Sequence, residues 1–202
     1  MASVARAGAA EAAAGKPRGP QLRLTPEREA ELYSAVVDLL HETGYAALTM
    51  DAVAARSKSS KATLYRQWKG KPDLVATALR HQQGGIAEID TGSLRGDLYA
   101  LVDSMEQDAA LVRGLLHAVH VDDELRAALR ERLIGPELNG LDTLLRRAAD
   151  RGEISPDCAA AEYVPHLLLG ALVTPSLLED APTDREYLRR YVDAVVLPAL
   201  GA

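Results

Sequence analysis

Wherever a regular element can begin in this 202-residue chain, the residues spell the start of a helix. Thr25, Pro26 and Glu27 supply a capping hydroxyl, a proline at the first helical position and a carboxylate in the first turn. Ser155, Pro156 and Asp157 repeat that order, Thr49, Ser60 and Ser93 each precede an apolar helical period, and Thr183 with Glu186 forms a Thr-x-x-Glu capping box. No stretch alternates apolar and polar residues over the length of a strand. The fold class is therefore all-α.

Helical periodicity fills in the elements. Tyr33, Val36, Val37 and Leu40 follow the i, i+3, i+4, i+7 pattern, and Gly44 is placed to end that first helix as its C′ residue. Pro72 is expected to open a helix from Asp73 to about His81 with Leu74, Val75, Ala78 and Leu79 as its stripe, closed by Gly84 and Gly85. Further helices are expected over 94–105, 109–119, 122–133, 136–152, 157–178 and 184–197. Residues 157–178 contain HLLLGALV, apolar on nearly every side, with Pro165 expected to kink them. Such a helix must be covered all round, either as an internal core helix or between its own domain and a second copy. The organisation expected is a tail over 1–22, too rich in Ala and Gly to hold structure in isolation, an amino-terminal helical domain over 25–85, and a second helical domain over 86–202. Lys16, Arg18 and Arg23 make that tail either an inert extension or a basic arm for a minor groove.

Between Thr49 and Lys71 the chain allows two short helices joined by a polar turn at 57–59. On the second, steps of about 100° per residue set Leu64 and Trp68 on one side and Ala62 and Arg66 nearly opposite. One face packs and the other is left for a partner. Arg56, Lys58, Lys61, Arg66, Lys69 and Lys71 stand against Asp51 alone, a local charge of +5. Residues 1–80 hold 12 Lys/Arg and 8 Asp/Glu, whereas the rest hold 11 and 21, so the formal charge of −6 hides a basic first part. Screening over about 10 Å makes the docking face decisive, and that face suits a polyanion.

Thr49, Val53, Ala54, Ser60, Thr63, Leu64, Tyr65, an aromatic at Trp68, then Lys71, Asp73 and Leu74, together with Gly44 and Tyr45 upstream, resemble the tetracycline-repressor (TetR) family of bacterial transcriptional regulators. The resemblance implies a three-helix, helix-turn-helix DNA-binding domain, with the motif at about 49–68, and a carboxy-terminal helical domain for ligand binding and dimerisation. It places Lys61, Ala62, Thr63 and Tyr65 in the major groove, and Thr49, Ser60, Tyr65, Arg66, Gln67 and Lys71 are the candidates for phosphate contacts. It also implies a homodimer through the last two helices, about 157–178 and 184–197, a double-stranded operator and a small-molecule effector. The chain departs from the family in the turn, where Lys58 and Ser59 replace the usual Gly and Val, and at Gln67, where His is common. Lys58 is thus expected to hold a left-handed or otherwise strained turn conformation at a cost of order 1 kcal/mol.

Polar or adaptable side chains among the apolar helices of the second domain are the pocket candidates: Tyr99, Met105, Arg113, His117, His120, Tyr163 and His166. They are equally ordinary helix-surface residues. His117 and His120 share a face but lack a third ligand at fixed spacing, so no metal is expected. Glu131 and Arg132 read as solvated charges. Cys158, alone in the chain, cannot form an internal disulfide and is expected buried or half buried near a helix start. No run reaches the roughly 20 apolar residues of a membrane span, and no signal peptide is read, so the expected compartment is the bacterial cytoplasm. P-loop, G-x-G-x-x-G, H-E-x-x-H and nucleophile-elbow motifs are absent, so neither catalysis nor a cofactor is expected. The function expected is a DNA-binding regulator, most simply a repressor released by a small molecule; control by a protein partner, or activation, stays open.

Overall fold

The structure, a computed structural model, describes residues 24–82, 85–107, 109–178 and 183–202. The basic tail with Lys16, Arg18 and Arg23, and Gly84 among the expected helix terminators, lie outside the described residues. Among the described residues all regular structure is helical. Helix α1 (Pro26–Ala47) starts where Thr25 Oγ1 accepts from the Arg28 N–H at 3.4 Å. It is interrupted at Gly44, whose φ of +73° only glycine adopts without strain. Helices α2 (Met50–Arg56), α3 (Lys61–Gln67) and α4 (Lys71–Gln82) follow, then a short 3-10 turn at Ile86–Glu88. The remainder comprises α5 (Leu94–Gln107), α6 (Ala109–Val121), α7 (Asp123–Leu129), α8 (Gly135–Asp150), α9 (Val164–Leu178), α10 (Arg185–Tyr191) and α11 (Leu197–Leu200).

Four local expectations are corrected, each for a proline- or cap-related reason. The helices expected at 122–133 and 136–152 form one continuous run, because Arg130–Ile134 is a π turn in which the Gly135 N–H donates to the Arg130 carbonyl. Pro136 cannot donate a backbone hydrogen bond, and the widened turn just ahead of it accommodates that loss without ending the helix. The same device recurs at Val192–Val196, where the Leu197 N–H donates to the Val192 carbonyl immediately before Pro198. Ser155-Pro156-Asp157 does not start a helix. Cys158, Ala161 and Tyr163 each donate to a carbonyl three residues back, making tight turns until α9 begins at Val164. Pro165 therefore falls in the first turn of α9, where no donor is missed and no kink is required; the proline inside that helix is Pro175. Finally, the cap of α10 is Asp184, which accepts from the Tyr187 N–H at 2.7 Å, while the Thr183 hydroxyl donates to the Leu172 carbonyl and ties the loop to α9.

Apolar packing falls into two clusters. Leu32, Val36, Val53, Leu64, Leu74 and Val75 of α1–α4 share a core with Leu111, Leu115 and Leu125 of α6 and α7. Leu98, Leu144, Val164, Leu172, Leu188 and Val192 centre the second cluster, on α5, α8–α10 and the turn that follows α10. Polar contacts reinforce the first junction. Tyr45, at the end of α1, donates its hydroxyl to Asp122 Oδ2 at 2.8 Å, and Asp122 Oδ1 also caps α7 by accepting from the Leu125 N–H at 2.9 Å. Arg132 is not merely solvated as expected; it pairs with Asp73 of α4. Arg80 pairs with Glu137 at 2.6 Å, and the same carboxylate accepts from the Ile86 N–H.

Two outcomes follow from this packing. A Cβ on Gly140 would lie 2.8 Å from the Ala87 backbone nitrogen, whereas one on Gly114, also helical, meets nothing within 4 Å. Gly140→Ala is expected to lower stability by about 1–3 kcal/mol and Gly114→Ala to raise it by about 0.5–1 kcal/mol; thermal melts showing the two variants alike would refute the close approach. The Leu125 N–H, then the Tyr45 hydroxyl, hold the Asp122 carboxyl below its usual pKa. A depressed carboxyl contributes stability above its unfolded pKa of about 3.9 that is lost as pH falls through the folded value. Denaturant midpoints measured from about pH 5 down to pH 2 should therefore fall more steeply in the wild type than in Asp122→Asn; parallel curves would contradict this.

Candidate nucleic-acid interface

The α2–α3 pair is built by two caps and one strained residue. Thr49 Oγ1 accepts from the Ala52 N–H and Ser60 Oγ from the Thr63 N–H, both at 3.1 Å, so each helix begins where its hydroxyl stands. Between them Lys58 takes φ of +51°, the left-handed of the two turn conformations expected of it. The turn is fixed from both sides: the Ser57 hydroxyl donates to the Val53 carbonyl at 2.8 Å, and Arg28 of α1 donates to the Ser57 carbonyl at 2.8 Å.

What orients α3 is its buried side. Leu64 is fully buried and Trp68 is 5% exposed, with its ring edge-on to Tyr33 at a centroid distance of 5.9 Å. Lys61, Ala62, Tyr65 and Arg66 consequently face solvent, Tyr65 with 58% of its surface exposed. Ser60 and Thr63 sit at the start of the same face with their hydroxyls 2.9 Å apart, Ser60 exposed and Thr63 half-buried. Gln67 is half-buried with its Oε1 turned inward, and Thr49 lies at the exposed start of α2.

The charges on this surface are not all available. Arg56 donates to both oxygens of Glu42 from α1, at 3.0 and 2.7 Å, which cancels its contribution to the local +5. That hydrogen bond in turn holds the Glu42 carboxyl below its ordinary pKa. Lys61 pairs with Asp51, across the motif. Lys71 donates to the Tyr45 carbonyl at 3.1 Å and sits 4.0 Å over the Tyr45 ring, at the foot of the Tyr45–Asp122 contact. Lys58 and Lys69 are exposed. A sequence window counts charge along the chain and so misses Glu42; the carboxylate arrives from a helix outside it.

The seven pocket candidates are dispersed. Tyr99 donates to Asp193 Oδ2 at 2.6 Å beneath the Arg189 guanidinium, and Met105 is half-buried farther along α5. Arg113 keeps Nη1 buried without a hydrogen-bond partner. His117 and His120 are exposed, His120 bonding its own helix at the Leu116 carbonyl, and Tyr163 and His166 pair rings on the outer side of α9 at 6.1 Å. A groove of about 920 Å³ runs between α8 and residues 154–165, with Leu138, Leu145, Arg146 and Cys158 in its wall, and includes none of the seven. A smaller cleft of about 470 Å³ at the junction of α1 and α7 takes in His117 with Tyr45, Val121 and Asp122. Cys158 is half-buried, as expected, but in a turn. Among the described residues no helix is long and apolar enough to cross a membrane.

Comparison with known proteins matches this architecture. Residues 32–78 fit the family model described as bacterial regulatory proteins, tetR family, and residues 88–195 fit the tetracyclin repressor-like C-terminal domain. An uncharacterized HTH-type transcriptional regulator of Mycobacterium tuberculosis is 35% identical over 86% of this chain and 88% of its own length. A DNA-binding transcriptional repressor TetR of Mycobacteroides abscessus is 33% identical over 84% of this chain and 92% of its own. Among solved structures, a TetR family transcription regulator at 30% identity superposes with a TM-score of 0.69, covering 86% of this chain and 98% of that one. FadR from Bacillus subtilis, solved in complex with stearoyl-CoA, shares the fold at 17% identity and a TM-score of 0.61, covering 81% and 95%. The relatives are regulators and not enzymes, and this chain belongs to the TetR family of DNA-binding transcriptional regulators.

Proposed function

We propose that this regulator is a repressor of the bacterial cytoplasm: a homodimer that occupies a near-palindromic operator through two α3 helices and is released when a small molecule binds among the helices of residues 86–202. Lys61, Ala62, Thr63 and Tyr65 face base edges; Thr49, Ser60, Arg66, Gln67 and Lys71, with the Tyr65 hydroxyl, hold phosphates. Lys61 suits guanine O6 and N7, and the Ala62 methyl suits a thymine methyl. The observation that carries the dimer is the two-sidedness of α9. Val164, Leu168, Ala171 and Leu172 are buried in the subunit, while Leu169 is 45% and Leu177 80% exposed. An apolar stripe of that kind on the surface of a monomer asks for a partner, which favours the twin over the purely internal helix.

Two such subunits would set their recognition helices about 34 Å apart, one turn of the duplex. Spacing is then the controlled quantity: a ligand that changes it at a coupling of 1–3 kcal/mol alters operator affinity by about 5 to 150-fold. The repressor assigned to Mycobacteroides abscessus and the stearoyl-CoA complex of the fold-sharing FadR support repression and a small-molecule effector respectively.

Light scattering should give a dimer that Leu169→Glu with Leu177→Glu converts to a folded monomer with weakened operator binding; an unchanged dimer would move the interface elsewhere. On a duplex selected from a random library, Lys61→Ala should cost about 1–3 kcal/mol and relax the preference at one base position. Lys71→Ala should weaken all duplexes alike and flatten the salt slope by about one unit. Equal, sequence-independent losses for both would defeat the division between base and phosphate contacts.

A further inference from the structure

On the exposed face of the motif, the Lys61 ammonium is ion-paired with the carboxylate of Asp51, in the first turn of α2. The two side chains stand 58% and 64% exposed, so in water the pair does little for stability. Its place is what matters: Lys61 is the first residue of α3, and the turn around Lys58 brings the starts of α2 and α3 within reach of one another. A carboxylate set among cations on a surface meant for a polyanion works against general affinity, and its partner is the residue best placed to enter a groove.

We propose that Asp51 is a specificity-determining residue that holds the Lys61 ammonium toward base edges and away from phosphate. The inference rests on the groove position given to Lys61 above. An ammonium has three N–H donors; with one committed to Asp51, two remain, the number that guanine O6 and N7 accept. The neighbouring carboxylate offsets the cation's charge, so the pair gains little by neutralising a phosphate and releasing a counterion. A base edge offers neutral acceptors, and the two remaining donors keep their value there. Asp51 thereby turns a cation that would bind any duplex into a directional donor. On a sequence without the matching acceptors, the carboxylate is brought toward phosphates with no compensating contact.

The test compares full-length wild type, Asp51→Asn, Lys61→Ala and the double variant on two duplexes: one selected by the wild type from a random library and a shuffled duplex of equal composition. Asp51→Asn is isosteric at an exposed site, and equal melting temperatures establish that each variant is folded. The expected result for Asp51→Asn is tighter binding to the shuffled duplex, a salt slope steeper by about one unit, and a specificity ratio lowered severalfold. The added affinity should decay about threefold between 50 and 200 mM salt. In the Lys61→Ala background the same substitution should change neither the slope nor the ratio. Wild-type slope and ratio for Asp51→Asn, alongside lost specificity for Lys61→Ala, would overturn the role of Asp51 and leave Lys61 in the groove. Unchanged specificity for Lys61→Ala would remove the groove assignment itself and the inference with it. An Asp51→Asn effect that persists without Lys61 would also overturn the proposal, because the carboxylate would then act on DNA directly.

Discussion

The anchoring of α3 by Leu64 and Trp68 is the interaction on which the rest of the surface depends. A helix of seven residues has too few internal hydrogen bonds to stand alone in water, so its orientation comes from the core beneath it. Leu64 is sealed and Trp68 lies edge-on to Tyr33 of α1, which leaves Ala62 and Arg66 only the solvent side. The Thr49 and Ser60 caps, the strained Lys58 and the hold of Arg28 on the Ser57 carbonyl fix where α3 starts. Packing decides which way the helix faces, and capping decides where along the chain that face begins.

Local chemistry was legible in the sequence wherever one or two neighbouring residues settle the geometry. The caps at Thr25, Thr49 and Ser60, the break at Gly44 and the left-handed Lys58 all depend on their own neighbours, and each stands where the sequence placed it. The inward Leu64 and Trp68 followed from periodicity. Legibility failed where an element is decided by competition. Ser155-Pro156-Asp157 carries the same start signals as Thr25-Pro26-Glu27, yet the short turns after it prevail up to Val164. Pro136 and Pro198 look like helix boundaries but are accommodated by π turns. Asp184 outcompetes Thr183 for the α10 cap because a carboxylate is the stronger acceptor for the Tyr187 N–H.

The charge pattern shows the same division. A run of basic residues marks the candidate docking face, but its effective charge is set in three dimensions. Glu42 reaches Arg56 from α1, and Lys71 is drawn toward Tyr45 by the carbonyl and the ring. The Tyr45–Asp122 contact continues that line to α7, so a residue on the duplex-facing domain shares a polar chain with the helices behind it. The pocket candidates were the least legible, since a polar side chain on an apolar helix looks the same whether it lines a cavity, as His117 does, or braces a neighbouring helix, as Tyr99 does through Asp193.

The central claim is that the outer face of α3 enters the major groove, twice per duplex. Guanine N7 lies in that groove, so dimethyl sulfate protection of a selected operator by the full-length protein reads the contact directly. The account predicts two protected patches about one helical turn apart on one side of the duplex, both lost when Leu64→Ala removes the anchor of α3. Tight binding without N7 protection, or with protection confined to a single patch, would contradict it.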